Sequence, residues 1–154
     1  NDDLVTLLQQ LPYEFRLYGM RRNAQEKNVR LCDFSPTGFV DDLRTARAVI
    51  AGGGFSLMGE AVHLKVPMYS VPLEGQFEQE LNARYLEHLG YGAFHREFSL
   101  ENIERFLQRL DFYQNHLANY PSQGNQVLFQ CLSDRFEGGD SNSQCAPCTG
   151  ADYD

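Results

Sequence analysis

No stretch of this 154-residue chain approaches the ~20 consecutive apolar residues of a membrane-spanning helix, which excludes such a span. A basic excess is also lacking. Thirteen Lys and Arg stand against 21 Asp and Glu, for a formal net charge of −8 and a pI near 4.9. Nucleic-acid-binding domains normally carry a basic patch or stripe, whereas here only Arg21-Arg22 and Arg44…Arg47 are grouped. Nucleic acid is therefore not expected as a partner. The start, Asn1-Asp2-Asp3-Leu4, has no initiator Met, basic segment or apolar segment of a signal peptide; it reads as a cut inside a longer chain. No internal repeat is visible. Cysteine is sparse, at four. Cys145-x-x-Cys148 lacks two further ligands at zinc spacing, and Cys32 and Cys131 are distant from it and from each other. Glu60-x-x-His63 is one arm of a di-iron motif without the second. Neither a metal nor another cofactor is expected, and reduced thiols are the default.

What is present is the composition of an ordinary globular domain: 42% hydrophobic, 12% aromatic and 22% charged. A chain of this length buries roughly 70% of its unfolded surface, enough for a core without staples. Leu4, Leu7, Leu8 and Leu11 have helical spacing, with Asp2 or Asp3 as cap and Pro12 as stop. Tyr13 to Tyr18 alternates as a strand closed by Gly19, and polar Arg21 to Lys27 reads as a loop. A second strand covers Val29 to Phe34, ended by Ser35-Pro36-Thr37-Gly38. Phe39 to Ala46 follows as a short helix with Asp41 and Asp42 in its first turn. Ala48 to Ala51 is too short for a helix and continuously apolar, as in a strand buried on both faces of a parallel sheet. A helix over Ser56 to Leu64, a strand over Met68 to Val71, and a helix over Phe77 to Leu89 come next. The last has an apolar row at Phe77, Leu81, Tyr85 and Leu89, with Gly90 as cap. After a small strand at Gly92 to His95, Ser99 caps one long amphipathic helix from Leu100 to Leu117. Val127 to Phe136 reads as a last short helix. The alternation predicts an α/β domain with a parallel sheet over residues 1–136 and a flexible tail, rich in Gly, Asp, Ser and Asn, over 137–154.

Two segments hold candidate chemistry. In the first, a buried strand runs into Gly52-Gly53-Gly54 and then a helix. This arrangement lets a ligand approach the backbone at a strand's carboxyl end and meet the helix N-terminus. Ser56 would cap that helix or donate to a phosphate, and Glu60 points back toward the same end. Three familiar motifs fail here. Gly54-x-x-x-x-Gly59 is followed by Glu60-Ala61 where a P-loop needs Lys and Ser/Thr. The dinucleotide pattern meets Leu57 at its third glycine, and the nucleophile elbow around Ser56 lacks its final glycine. The second segment, Leu73 to Gln79, gathers carboxylates and amides after a strand, a composition suited to sugar hydroxyls. The bland alternatives are a glycine turn that serves chain geometry only and a solvated loop that starts a helix.

The string Gly53-Gly54-Phe55-Ser56…Glu60-Ala61…Pro67…Pro72…Gln76…Glu78-Gln79…Asn82-Ala83…Leu86…Gly90 resembles the nucleotide-sugar-binding half of GT-B glycosyltransferases. The likeness is to the group that holds the lipid-linked GlcNAc transferase of peptidoglycan synthesis and related UDP-glycosyltransferases. The resemblance implies a Rossmann-like sheet flanked by helices, one half of a two-domain architecture, and transfer of a sugar from a UDP-sugar without a metal. It places the diphosphate on Gly53, Gly54 and the next helix, assisted by Ser56, and the ribose hydroxyls on Glu60. The transferred sugar falls to Glu78 and Gln79, with Asn82 as a buttress, and Phe55 and Gln76 count among the donor-binding residues. The base would sit near the loop after Phe34, against Ser35 and Phe39. Leu57 departs from relatives that carry Ser or Thr there, which removes one phosphate contact. The catalytic base and the acceptor pocket, including one for a lipid or membrane-associated acceptor, would belong to an N-terminal domain outside this chain. The location implied is cytoplasmic, peripheral at the inner face of the membrane in the full-length protein. A UDP-sugar epimerase half-domain and a non-catalytic subunit of a split transferase are the alternatives.

Overall fold

In a computed structural model of the chain, residues 2–121 are described. The expected helix at Val127 to Phe136, the tail over 137–154 and the Cys145/Cys148 pair lie outside them. The elements are α1 (Asp2–Leu8), β1 (Phe15–Tyr18), β2 (Ala24–Glu26), β3 (Val29–Cys32), α2 (Pro36–Thr45), β4 (Val49–Ala51), α3 (Phe55–His63), β5 (Met68–Ser70), α4 (Phe77–His88), β6 (Gly92–Phe94), α5 (Leu100–Gln108) and α6 (Leu110–Ala118).

The strands form two three-stranded sheets, ordered β1-β3-β2 and β4-β5-β6. The second is wholly parallel, with Ile50 opposite Tyr69 and Tyr69 opposite Ala93. In the first, β1 is parallel to β3 and β2 is antiparallel to it. Both faces of the second sheet are covered. Tyr69, Val71 and Ala93 join a core with Val5, Leu8, Val29, Leu31, Ile103 and Phe106. Met68 turns the other way, to Met58, Val62, Leu86 and Leu117. Alternation along β5 thus places one core on each side, the α/β arrangement expected. Tyr69 is wholly buried, which pushes its phenol up to about 12, helped by the Glu97 carboxylate. It stays protonated and donates to Glu97 O at 3.3 Å.

The structure corrects several expectations. The polar stretch Arg21 to Lys27 contains a strand, β2, which returns on β3 through a turn with Lys27 at φ +54°. The left-handed position falls on Lys27 and not on a glycine or on the neighbouring Asn28, so the usual hairpin pattern is absent. Helix α2 begins at Pro36, not Phe39. Ser35 Oγ accepts from Gly38 N–H at 3.3 Å, and Pro36 occupies the first helical position, so Ser-Pro starts the helix rather than only ending the strand. Asp41 and Asp42 consequently fall beyond the first turn. Strand β4 is only half-buried, because it is a sheet edge. On α4 the row Phe77, Leu81 and Tyr85 faces solvent, and Asn82, Ala83 and Leu86 are buried instead. The expected long helix is two, α5 and α6. They meet at Arg109 (φ −103°), whose N–H reaches back three residues to Phe106 O. Its guanidinium lies over the Phe112 and Tyr113 rings.

Two helix ends share one geometry with different residues. At α4, Gly90 takes φ +74°, its N–H bonds Glu87 O, and Tyr91 N–H bonds Leu86 O. At α3 the same pair of bonds runs from Lys65 and Val66 to Val62 O and Ala61 O, with Lys65 at φ +60°. The lysine carries a conformation that costs a non-glycine residue about 1–2 kcal/mol. Its ammonium offsets this by donating to Leu117 O, Ala118 O and Tyr120 O at 3.0–3.3 Å, closing the carbonyl end of α6. Asn28 plays a similar part at the end of α1, donating from Nδ2 to Leu8 O, Leu11 O and Tyr13 O. Lys65→Met keeps the strained φ and loses the bonds, so it should destabilise by about 1–3 kcal/mol in urea unfolding, and Lys65→Gly by less. Asn28→Ala should cost about 1–3 kcal/mol in the same assay.

Candidate functional site

The chain leaves β4 through Gly52-Gly53-Gly54 and enters α3 with Gly54 as its N-cap. No side chain caps the helix. The first-turn donors and positive dipole end of α3 are therefore offered at the carboxyl end of β4, an arrangement that receives an anion. Ser56 is exposed and sits within the first turn, so the expectation that it caps the helix is not met. Phe55 is half-buried beside it. Glu60, one turn on, is exposed and makes no side-chain hydrogen bond or ion pair among the described residues. Its carboxylate is open to a ligand.

The three glycines do different work. A Cβ on Gly53 would overlap the main-chain carbonyl of Gln79, so the close approach of α4 fills that space. Gly52 is also crowded: a Cβ there would stand 3.3 Å from Gln79 Oε1. A Cβ on Gly54 would meet nothing within 4 Å, and Gly54 is exposed. Room for a ligand therefore exists at Gly54, whereas Gly53 is required by the protein's own packing.

The second segment converges on the same turn. Gln79 Oε1 accepts from Leu73 N–H at 3.1 Å and folds the loop back onto its own helix. Gly75 takes φ +78° inside that loop. Buried Asn82 donates from Nδ2 to Gly53 O at 3.3 Å, tying α4 to the glycine turn. Gln76 and Glu78 are exposed at the start of α4, which again has no side-chain cap. Glu80, three residues on, is held below the usual carboxylate range by its bonds to Arg84, with Arg96 adding to them. The structure thus brings Gly53, Leu73, Gln79 and Asn82 together. Gln76, Glu78, Ser56 and Glu60 present exposed side chains.

At the carboxyl end of β3, Phe34 is 67% exposed. Its ring centre lies 6.0 Å from that of Phe39, which stands edge-on to Tyr18 at 5.1 Å. Ser35 is engaged in capping α2. Asp42 accepts from both Arg16 and the Tyr18 hydroxyl, which fixes the wall behind these rings. Alternation within a strand gives no sign in the sequence that Tyr18 pairs with Phe39. Ser70 is a second residue of this kind. It is fully buried at the end of β5, and its Oγ has no hydrogen-bond partner among the described residues, as is true of Asn82 Oδ1. A polar residue closing an apolar strand was the available signal. Among the described residues, no group of three His, Cys, Asp or Glu is placed to hold a metal ion, and no helix is long and apolar enough to cross a membrane.

Comparison with known proteins supports one assignment. Residues 1–111 match the sequence profile of glycosyl transferase family 1. An uncharacterised glycosyltransferase of Methanosarcina acetivorans is 44% identical over 70 residues, and one of Methanosarcina mazei is 46% identical over 66. Each match covers 43% of this chain and 17% of the relative. Among solved structures, the spinosyn forosaminyltransferase SpnP superposes with TM-score 0.63 at 17% identity, over 85% of this chain and 39% of that one. The glycosyltransferase VinC in complex with DTDP gives 0.64 at 16%, over 88% and 37%. The rhamnosyltransferase SpnG complexed with thymidine diphosphate gives 0.60 at 19%, over 81% and 39%. At these identities the structures establish the shared fold. With the profile covering most of the described residues, the chain belongs to glycosyl transferase family 1.

Proposed function

We propose that this chain is the donor-binding part of an enzyme that transfers a sugar from a nucleoside diphosphate, with UDP-sugars as the first class to test. One observation carries the reading: an open, uncapped helix start at Gly54, on a glycine turn packed against α4, with exposed Glu60 one turn on and exposed Gln76 and Glu78 at the start of α4. In this reading the α3 N-terminus, Gly54 and the Ser56 hydroxyl receive the diphosphate. Gly53 holds the turn in place. Backbone donors and the dipole stabilise the negative charge that grows on the leaving diphosphate, with no metal needed. Glu60 accepts from the ribose hydroxyls. Glu78, Gln76 and the free amide end of Gln79 face the sugar, and Asn82 buttresses the turn through Gly53 O. The base lies on Phe34 and Phe39. Acceptor and catalytic base come from polypeptide beyond this chain, in keeping with a match to only 17% of the curated relatives' length. Two of the similar structures were solved with thymidine diphosphate, so thymidine and uridine donors belong in one comparison.

Calorimetric titration of the folded chain with UDP, TDP and their sugar conjugates tests the reading; no binding at millimolar nucleotide would overturn it. Glu60→Ala should weaken nucleotide binding by about 1–3 kcal/mol, a loss that 2′-deoxy nucleotides show less. Two glycine variants should separate. Gly53→Ala should destabilise the fold by about 1–3 kcal/mol, because α4 must move to admit the methyl group. Gly54→Ala should cost less than about 1 kcal/mol of stability and still lower diphosphate affinity about tenfold, since the new methyl group occupies the ligand's space.

A further inference from the structure

Two buried oxygens have no hydrogen-bond partner among the described residues: Ser70 Oγ on β5 and Asn82 Oδ1 on α4. Ser70 is wholly buried and Asn82 is 4% exposed. The Asn82 amide has one usable orientation. Gly53 O is an acceptor and takes the Nδ2 donor at 3.3 Å, so Oδ1 is committed to the other side.

The fold brings the two oxygens to one place. Side chains two residues apart on a strand share a face. Ser70 therefore lies on the same face of β5 as Met68, which packs in the cluster that holds Leu86 of α4. Strands β5 and β6 are parallel, so α4 between them runs back against both. The step along β5 from Met68 to Ser70 advances about 6.6 Å toward the carboxyl end. The turn of α4 from Leu86 back to Asn82 advances about 6 Å in the same direction. Ser70 thus stands across from Asn82, as Met68 stands across from Leu86. The sheet agrees: Ser70 is opposite Ala51, and Asn82 bonds Gly53, two residues beyond Ala51. The two oxygens do not bond each other. A hydroxyl that can donate and accept, and an amide oxygen that can only accept, are suited to one shared water.

We propose that Ser70 and Asn82 hold a structural water between β5 and α4, which makes Ser70 a positioning residue for the glycine turn. The water donates to Asn82 Oδ1 and shares its other bond with Ser70 Oγ. A bond accepted at Oδ1 polarises the amide and strengthens the bond that Nδ2 donates to Gly53 O. A chain of hydrogen bonds then runs from the central strand of the second sheet to the turn from which α3 starts.

Three measurements on the 154-residue chain test this. Water–protein NOE spectra should show a cross-peak between the Asn82 side-chain amide and a long-lived water, lost in Ser70→Ala. Hydrogen exchange of that amide should quicken about tenfold in Ser70→Val and stay near the native rate in Ser70→Thr. Thr and Val share one shape and differ in the hydroxyl, so a purely steric role of residue 70 would move both alike. UDP affinity should fall about threefold in Ser70→Val and hold in Ser70→Thr. Only this last measurement rests on the donor reading: a chain that passes the first two and binds no nucleotide overturns that reading and keeps the water. An absent water cross-peak in the native chain, or equal amide exchange in the Val and Thr variants, would overturn the proposal. Should neither variant fold, the native cross-peak and its loss in Ser70→Ala decide it.

Discussion

The contact between Gly53 and the carbonyl of Gln79 sets the geometry of the whole candidate site. It lets the amino end of α4 rest directly on the turn that starts α3, so two helices from consecutive strand–helix units meet without a side chain between them. Asn82 fastens the contact from below through its bond to Gly53 O, and Gln79 fastens it from the side by holding Leu73 N–H. What remains exposed, Gly54, Ser56, Glu60, Gln76 and Glu78, is displayed on a support whose parts are already bonded to one another. The exposed groups stay unengaged, while Gln79 Oε1 and Asn82 Nδ2 beneath them are bonded.

The support is not fully satisfied. Ser70 Oγ and Asn82 Oδ1 are buried without partners among the described residues, both on elements that flank the glycine turn. An unpaired buried acceptor costs free energy. Here that cost sits on the two elements beside the glycine turn.

The strand–helix order was legible in the sequence wherever local chemistry was unambiguous. Ser99 caps α5 as its position suggested, with its Oγ accepting from Asn102 N–H, and Gly90 closes α4 in the left-handed conformation. One element, β2, was not legible, because it lies in a polar stretch and its turn puts the positive φ on Lys27. Lys65 also adopts positive φ, at the end of a helix that was legible. Facing was less legible than element type. The row Phe77, Leu81 and Tyr85 has the spacing of a buried stripe, yet α4 buries the neighbouring row because Asn82 must reach Gly53. In the site, the presence of the glycines could be read but not their separate duties. Those depend on which of them α4 approaches, a contact between residues 26 apart that no local pattern encodes.

The outward row on α4 also bears on how the molecule behaves among copies of itself. Leu73 and Phe77 are 65% and 76% exposed, and Leu81 and Tyr85 continue the apolar strip along the helix. Against this stickiness stands the chain's net charge of −8, a mutual repulsion that reaches about 10 Å at 0.1 M salt and shortens as salt is added. Association of copies through this strip would therefore have to work against long-range charge, an opposition that salt weakens.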